Sequence, residues 1–201
     1  MLNAAPAGRR AGFTIVELVI TLALFGVLLA LGIPAFTTFI QNAQIRNAAE
    51  HAVSGLNLAR AESVQRNAPI RFQFVSNLTA SCTVSTASGS WVISLDDPEG
   101  LCDVAPSETT APRILQKYTQ QEGAAGVTAN TAGGGLVIFS GLGRVSGAGT
   151  TQIDFSRAGS VCEHVDAAGS VRCLRVLIST GGAIRLCDPK VAAATDPRHC
   201  S

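Results

Sequence analysis

From Phe13 to Phe36 the chain reads FTIVELVITLALFGVLLALGIPAF, an apolar run that carries one charge, Glu17. As a helix rising ~1.5 Å per residue, that run reaches ~36 Å, enough for a hydrocarbon core of ~30 Å. The preceding residues 1–12, MLNAAPAGRRAG, are polar and contain Arg9 and Arg10 but no acid. That asymmetry predicts a cytoplasmic N-terminus. A cleaved secretory signal would have an apolar core of about 7–15 residues and then a small-residue cleavage site. Here the run is longer, and LGIPAFTTFIQ continues straight into more helix. Beyond the run, Ile45, Ala49, Ala52, Leu56, Ala59 and Ser63 recur at steps of three and four, while Asn47, Glu50, Ser54, Asn57 and Glu62 largely take other faces. This is the period of a helix with a buried stripe of small residues, the kind on which a sheet packs closely. No sustained heptad favours a coiled coil instead. Asn67-Ala68-Pro69 ends the pattern, so the helix is expected over residues 13–67, some ~80 Å long.

After Pro69 the period changes. Apolar and alternating runs at Ile70–Val75, Trp91–Leu95, Ile114–Thr119, Leu136–Ser140, Thr151–Phe155, Cys173–Ser179 and Ala183–Cys187 predict seven short strands. Gly, Ser, Asp and Pro clusters separate them, and Ser85–Ser90 and Glu122–Gly135 read as mobile loops. A long helix followed by strands predicts an α+β fold, with antiparallel sheets folded against the helix. The expected organisation is a leader at 1–12, a transmembrane half-helix at 13–36, an amphipathic half at 37–67 and a β-rich domain at 68–201.

Composition narrows the setting. Charged residues make up 14% of the 201 and the net charge is +1, which excludes both a disordered chain and the broad basic field of a dedicated nucleic-acid binder. Six cysteines without a CxxC pair fit three disulfides in an oxidising compartment rather than a zinc ribbon. Local pairings Cys82–Cys102, Cys162–Cys173 and Cys187–Cys200 would clip a β-hairpin, a turn and the C-terminal tail. Fifteen connectivities are formally open.

Enzymatic readings find little support. His51, His164 and His199 are scattered and no Ser sits in a GxSxG turn. Gly141-Leu142-Gly143-Arg144-Val145-Ser146 lacks the last glycine and the βαβ context of a nucleotide loop, so a hairpin turn is expected. Asp96, Asp97, Glu99 and Asp103 do not have EF-hand spacing and read as a solvated turn. No catalytic residue, metal or cofactor is expected.

Glu17 is the anomaly of the apolar run, because a carboxylate there is costly and marks a functional position by default. Gly12-Phe13 followed by Thr14-Ile15-Val16-Glu17-Leu18 and a long apolar helix resembles the class III signal of type IV prepilins and pseudopilins. The resemblance implies that prepilin peptidase cuts between Gly12 and Phe13 and methylates the new terminus at Phe13. It implies that Glu17, the fifth mature residue, serves assembly and that Pro34 bends the helix. A free amino terminus buried among neighbouring helices would be neutralised by the Glu17 of an adjacent subunit, so that pairing favours assembly. The segments LVIFSGLGRVSGAGTTQIDF and RCLRVLISTGGAIRLCDP resemble the GspH/FimT-type subfamily of minor pilins and pseudopilins. The implied function is structural: a subunit that assembles or initiates a type IV pilus or a type II secretion pseudopilus. Its partners would be other pilins and the inner-membrane assembly platform, with the β domain in the periplasm.

Some members of that subfamily capture DNA in natural transformation through a Gly-Arg-x-Arg stretch. The matching residues here are Gly182-Ala183-Ile184-Arg185, with Ala183 in place of the first arginine. Residues 141–201 hold seven basic and five acidic residues, against three and six in residues 71–140. The alternative function is therefore a DNA receptor using Arg144, Arg185, Lys190 and Arg198, with few cations available for phosphates.

Overall fold

The computed structural model describes residues 12–146, 151–164 and 168–200, the side chains of residues 31–35 excepted. The leader apart from Gly12, and the Pro34 side chain with its expected bend, lie outside the described residues. The chain divides into two compact units, 1–39 and 40–201.

One helix, α1 (Ile15–Arg66), contributes to both units. Among the described residues no helix is long and apolar enough to cross a membrane; ahead of residues 31–35, the described apolar stretch of α1 runs from Ile15 to Ala30. The helix ends in a Schellman cap. Ala68 N–H reaches back to Ser63 O at 3.2 Å and Asn67 N–H to Val64 O at 3.3 Å. Asn67 takes the left-handed conformation this cap requires, which asparagine tolerates better than most residues.

Within the second unit all six residues of the expected stripe are buried: Ile45, Ala49, Ala52, Leu56, Ala59 and Ser63. Ala48 and Gly55 join them. At Gly55 the sheet comes close, since a Cβ there would lie 2.8 Å from the Trp91 ring and 2.9 Å from Phe72. A glycine that weakens an isolated helix here admits two aromatic rings.

Eight strands are described, one more than the sequence predicts. They are β1 (Ile70–Phe74), β2 (Trp91–Ser94), β3 (Ile114–Tyr118), β4 (Val127–Ala132), β5 (Leu136–Phe139), β6 (Gln152–Arg157), β7 (Leu174–Ile178) and β8 (Ile184–Cys187). They form two antiparallel four-stranded sheets, in order β3-β2-β1-β5 and β4-β6-β7-β8. The unforeseen strand is β4, inside the stretch read as a mobile loop. Val127 and Ala129 point inward and Asn130 outward, so the alternation exists, but with residues too small to stand out. The other expected loop is also held. Ser88 and Ser90 are buried, Gly89 N–H donates to Gln120 Oε1 at 2.9 Å, and Gln120 N–H donates to Ser90 Oγ at 3.1 Å.

The main core lies between the helix stripe and the inner faces of both sheets. Phe72, Phe74, Trp91 and Phe139 come from the first sheet; Ile153, Phe155 and Val176 come from the second. Rings run from His51 through Tyr118, Trp91 and Phe72 to Phe74, with centroids 4.6–5.5 Å apart, a spacing at which such pairs attract beyond their area burial. A smaller cluster of Val75, Cys82, Val92, Cys102 and Ile114 covers the opposite face of the first sheet. Its seam is the Cys82–Cys102 disulfide, which spans β2 and ties the loop before it to the loop after it, rather than clipping a hairpin. Lys117 on β3 donates through Nζ to the carbonyls of Cys102, Asp103 and Val104 at 3.1–3.2 Å, fixing that loop to the sheet. Cys162–Cys173 and Cys187–Cys200 are the other bonds. In the chain-entropy account, loops of these sizes are each worth about 3 kcal/mol.

Candidate processing and assembly site

The N-terminal residues of interest occupy the start of α1. Thr14 is the cap: its Oγ1 accepts the Glu17 N–H at 3.2 Å, and its carbonyl accepts the Leu18 N–H at 3.2 Å. Thr14-Ile15-Val16-Glu17 has the Thr-x-x-Glu spacing of a capping box, a signal the sequence reading passed over. Glu17 thus stands in the first turn, where the helix dipole favours an anion. Its carboxylate has no hydrogen-bond or ion-pair partner among the described residues. Gly12 has open space around it, with nothing within 4 Å of an added Cβ. Phe13 and Ile15 are both 83% exposed, and every described side chain from Phe13 to Ala30 is exposed. Thr21, polar in this run, donates its hydroxyl to Leu18 O at 2.8 Å and so satisfies itself within the helix. What remains is an apolar surface with one unpaired acid one turn from its end.

The C-terminal cations are dispersed over several local settings. Arg144 is exposed in the turn after β5, where Gly143 N–H bonds Ser140 O at 2.7 Å and Ser140 N–H bonds Arg144 O at 2.8 Å. This is the expected hairpin turn, and it closes on other elements. Arg60 Nε donates to Gly143 O at 3.2 Å, and Val145 N–H donates to Thr180 O at 3.2 Å. Arg185 is exposed on β8, opposite Leu177. Lys190 is paired with Glu163, and Arg198 donates to both Asp196 oxygens at 3.1 and 2.8 Å. Lys190 and Arg198 are thus already engaged by acids.

In the acidic turn Asp97, Glu99 and Asp103 are exposed and Asp96 is half-buried, and two of the four acids are paired with arginines. Arg113 grips Asp96 with two bonds at 2.7 and 2.5 Å, and Arg71 reaches Asp97 at 3.2 Å. No group of three or more His, Cys, Asp or Glu among the described residues could hold a metal ion.

Hydrogen bonds from the Arg198 side chain, then from its backbone, hold the Asp196 carboxyl down at about 2. A depressed carboxyl stabilises the fold above its unfolded value, near 4, and loses that contribution as pH falls through about 2. Carbon-detected NMR titration is expected to give a midpoint near 2 for Asp196, moving up towards 4 in Arg198→Gln. An unmoved midpoint would discard this assignment.

Comparison with known proteins comes down to two family models and two crystal structures. The model of the type II transport protein GspH matches residues 48–191, most of the second unit. That of the prokaryotic N-terminal methylation motif matches residues 8–33. No curated protein matches. The Pseudomonas aeruginosa type IV minor pilin FimU, in space group P21, aligns at 18% identity and a TM-score of 0.44 over 74% of this chain and 91% of its own. Its P65 form aligns at 17% and 0.42 over 70% and 90%.

Proposed function

Because the chain belongs to the family of the type II transport protein GspH, a structural and non-enzymatic family, we propose that it is a minor subunit of a pilin-type filament. In this reading it is anchored in the inner membrane by residues 13–36, with the N-terminus cytoplasmic and the β domain periplasmic. Prepilin peptidase, whose action the methylation motif implies, cuts at Gly12–Phe13. The mature chain then enters a type IV pilus or a type II secretion pseudopilus, or initiates one at the assembly platform.

The observation that carries the reading is the unpaired Glu17 at the head of an uncovered apolar helix. Exposed apolar area on this scale needs lipid or neighbouring helices over it. Inside such packing a lone carboxylate needs a cation, and the processed amino terminus of an adjacent subunit supplies one.

The charge can be tested apart from the cap. The cap bond runs from the residue-17 backbone N–H to Thr14 Oγ1 and survives any side chain there; glutamine keeps the polar side chain without the charge, and valine keeps neither. Both Glu17→Gln and Glu17→Val are expected to be processed normally and to fall about tenfold or more in sheared filaments, since an uncompensated buried terminus costs several kcal/mol. Rescue by glutamine to the wild-type level would mean that a polar side chain suffices and the charge does not matter.

DNA capture, the alternative, has less support. Lys190 and Arg198 are committed to Glu163 and Asp196, which leaves few cations for phosphates, and Ala183 breaks the Gly-Arg-x-Arg stretch.

A further inference from the structure

A cleft of about 190 Å³ opens between the amphipathic half of α1, the start of β7, β8 and the C-terminal tail. Arg46, Arg172 and Arg198 line it, together with Glu50, Asp188, Leu174 and Leu186. Its charges are unequally committed. Asp188 is buried and already occupied: one oxygen accepts Arg172 Nε at 2.5 Å and the other accepts the Lys190 N–H at 2.9 Å. Arg172 is also fixed through its backbone, whose N–H donates to Asn42 Oδ1 at 2.8 Å. Arg198 spends Nε and one terminal nitrogen on Asp196. Arg46 spends nothing, for its guanidinium has no hydrogen-bond or ion-pair partner among the described residues. It stands one turn before Glu50 with the basic residue first, the weaker order for such a helix pair, and the two do not join.

We propose that this cleft receives the carboxylate of an acidic side chain from a neighbouring subunit, with Arg46 as the primary donor and Arg172 held rigid beside it. The neighbour rests on the filament reading above; the carboxylate follows from the cleft. A guanidinium presents a planar fork that matches a carboxylate in two parallel bonds. Leu174 and Leu186 offer apolar wall for the methylene stem of a glutamate. The volume is below the ~300–1,000 Å³ typical of small-molecule pockets, so one side chain fits better than a free metabolite. Glu50 and Asp188 permit a single negative charge and would repel a dianion or a polyanion. Charge complementarity is present within this chain, since Glu99, Asp103 and Glu122 are exposed and carry no ion pair among the described residues.

The test uses the full chain in detergent micelles with arginine side chains labelled for NMR. The probe is the peptide acetyl-Gly-Glu-Gly-amide; acetyl-Gly-Gln-Gly-amide and a short DNA duplex are the controls. The glutamate peptide is expected to shift the Arg46 and Arg172 Nε signals saturably, and the glutamine peptide is not. Arg46→Ala should weaken binding about fivefold or more, Glu50→Gln should tighten it, and Arg144→Ala, outside the cleft, should leave it unchanged. Equal responses to both peptides, undiminished binding by Arg46→Ala, or a stronger response to the duplex would each overturn the proposal. Because the titration needs no filament, absence of the wild-type chain from sheared filaments would overturn the assembly reading alone.

Discussion

Gly12→Val is expected to halt the chain as a precursor while leaving its fold intact. The two halves of that outcome have different origins. Nothing lies within 4 Å of an added Cβ at Gly12, so no contact of the described fold demands glycine there. Any requirement must come from outside the chain, from the peptidase that has to bring its reacting groups onto the Gly12–Phe13 bond. A branched side chain next to a scissile bond displaces the backbone by about an ångström, enough to cost on the order of a hundredfold in rate. Intact mass would show residues 1–12 retained and no methyl group, with a circular dichroism spectrum matching wild type. Wild-type yields of N-methylated Phe13 from the valine chain would refute the cleavage assignment.

Gly182→Ala is expected to destabilise the β domain by about 3 kcal/mol, the sum of two unrelated costs. Gly182 has φ +82°, a left-handed conformation that costs an alanine roughly 1 kcal/mol. An added Cβ would also lie 2.0 Å from Gly143 O, the carbonyl that Arg60 holds. Backbone cannot swing aside as a side chain does, so the β7–β8 turn, the Arg144 turn and the end of α1 must separate, a strain of about 1–3 kcal/mol. Gly134→Ala is the control, with φ +99° but open space around it, and should show the first cost alone. Thermal melting followed at Trp91 should separate the two variants by roughly 4–8 °C for a unit of this size. Indistinguishable melts would show that the contact relaxes freely.

How far these features could be read from sequence depended on how local their causes are. The helix stripe was legible because Ile45, Ala49, Ala52, Leu56, Ala59 and Ser63 declare their face by spacing alone. Gly55 was not, because its reason is the approach of Phe72 and Trp91, which lie in other elements. β4 was missed since inward Ala129 and the glycines after Ala132 have the composition of a loop; what makes the segment a strand is its ladder with β6. The cap at Thr14 is as local as the stripe, its Thr-x-x-Glu spacing standing in four consecutive residues. The cleft around Arg46 was out of reach. Its three arginines come from the helix, the entry to β7 and the tail, and only the folded chain brings them together.

The order of the strands has a consequence for how the domain acquires its stability. β4 belongs to one sheet and β5 to the other, joined by Gly133-Gly134-Gly135, all with positive φ. The chain therefore leaves the first sheet before completing it, lays down one strand of the second, and returns. β5, the partner of β1, is reached only by way of the β4 segment, and β4 has no ladder partner until β6 follows it. Neither sheet is encoded by a contiguous stretch, so no cut in the chain yields a self-sufficient half. Two sheets threaded through one another in this way should melt in a single transition, and a nascent chain ending before Gln152 would have the helix and all four strands of the first sheet yet only β4, unpaired, of the second, and so lack a finished core.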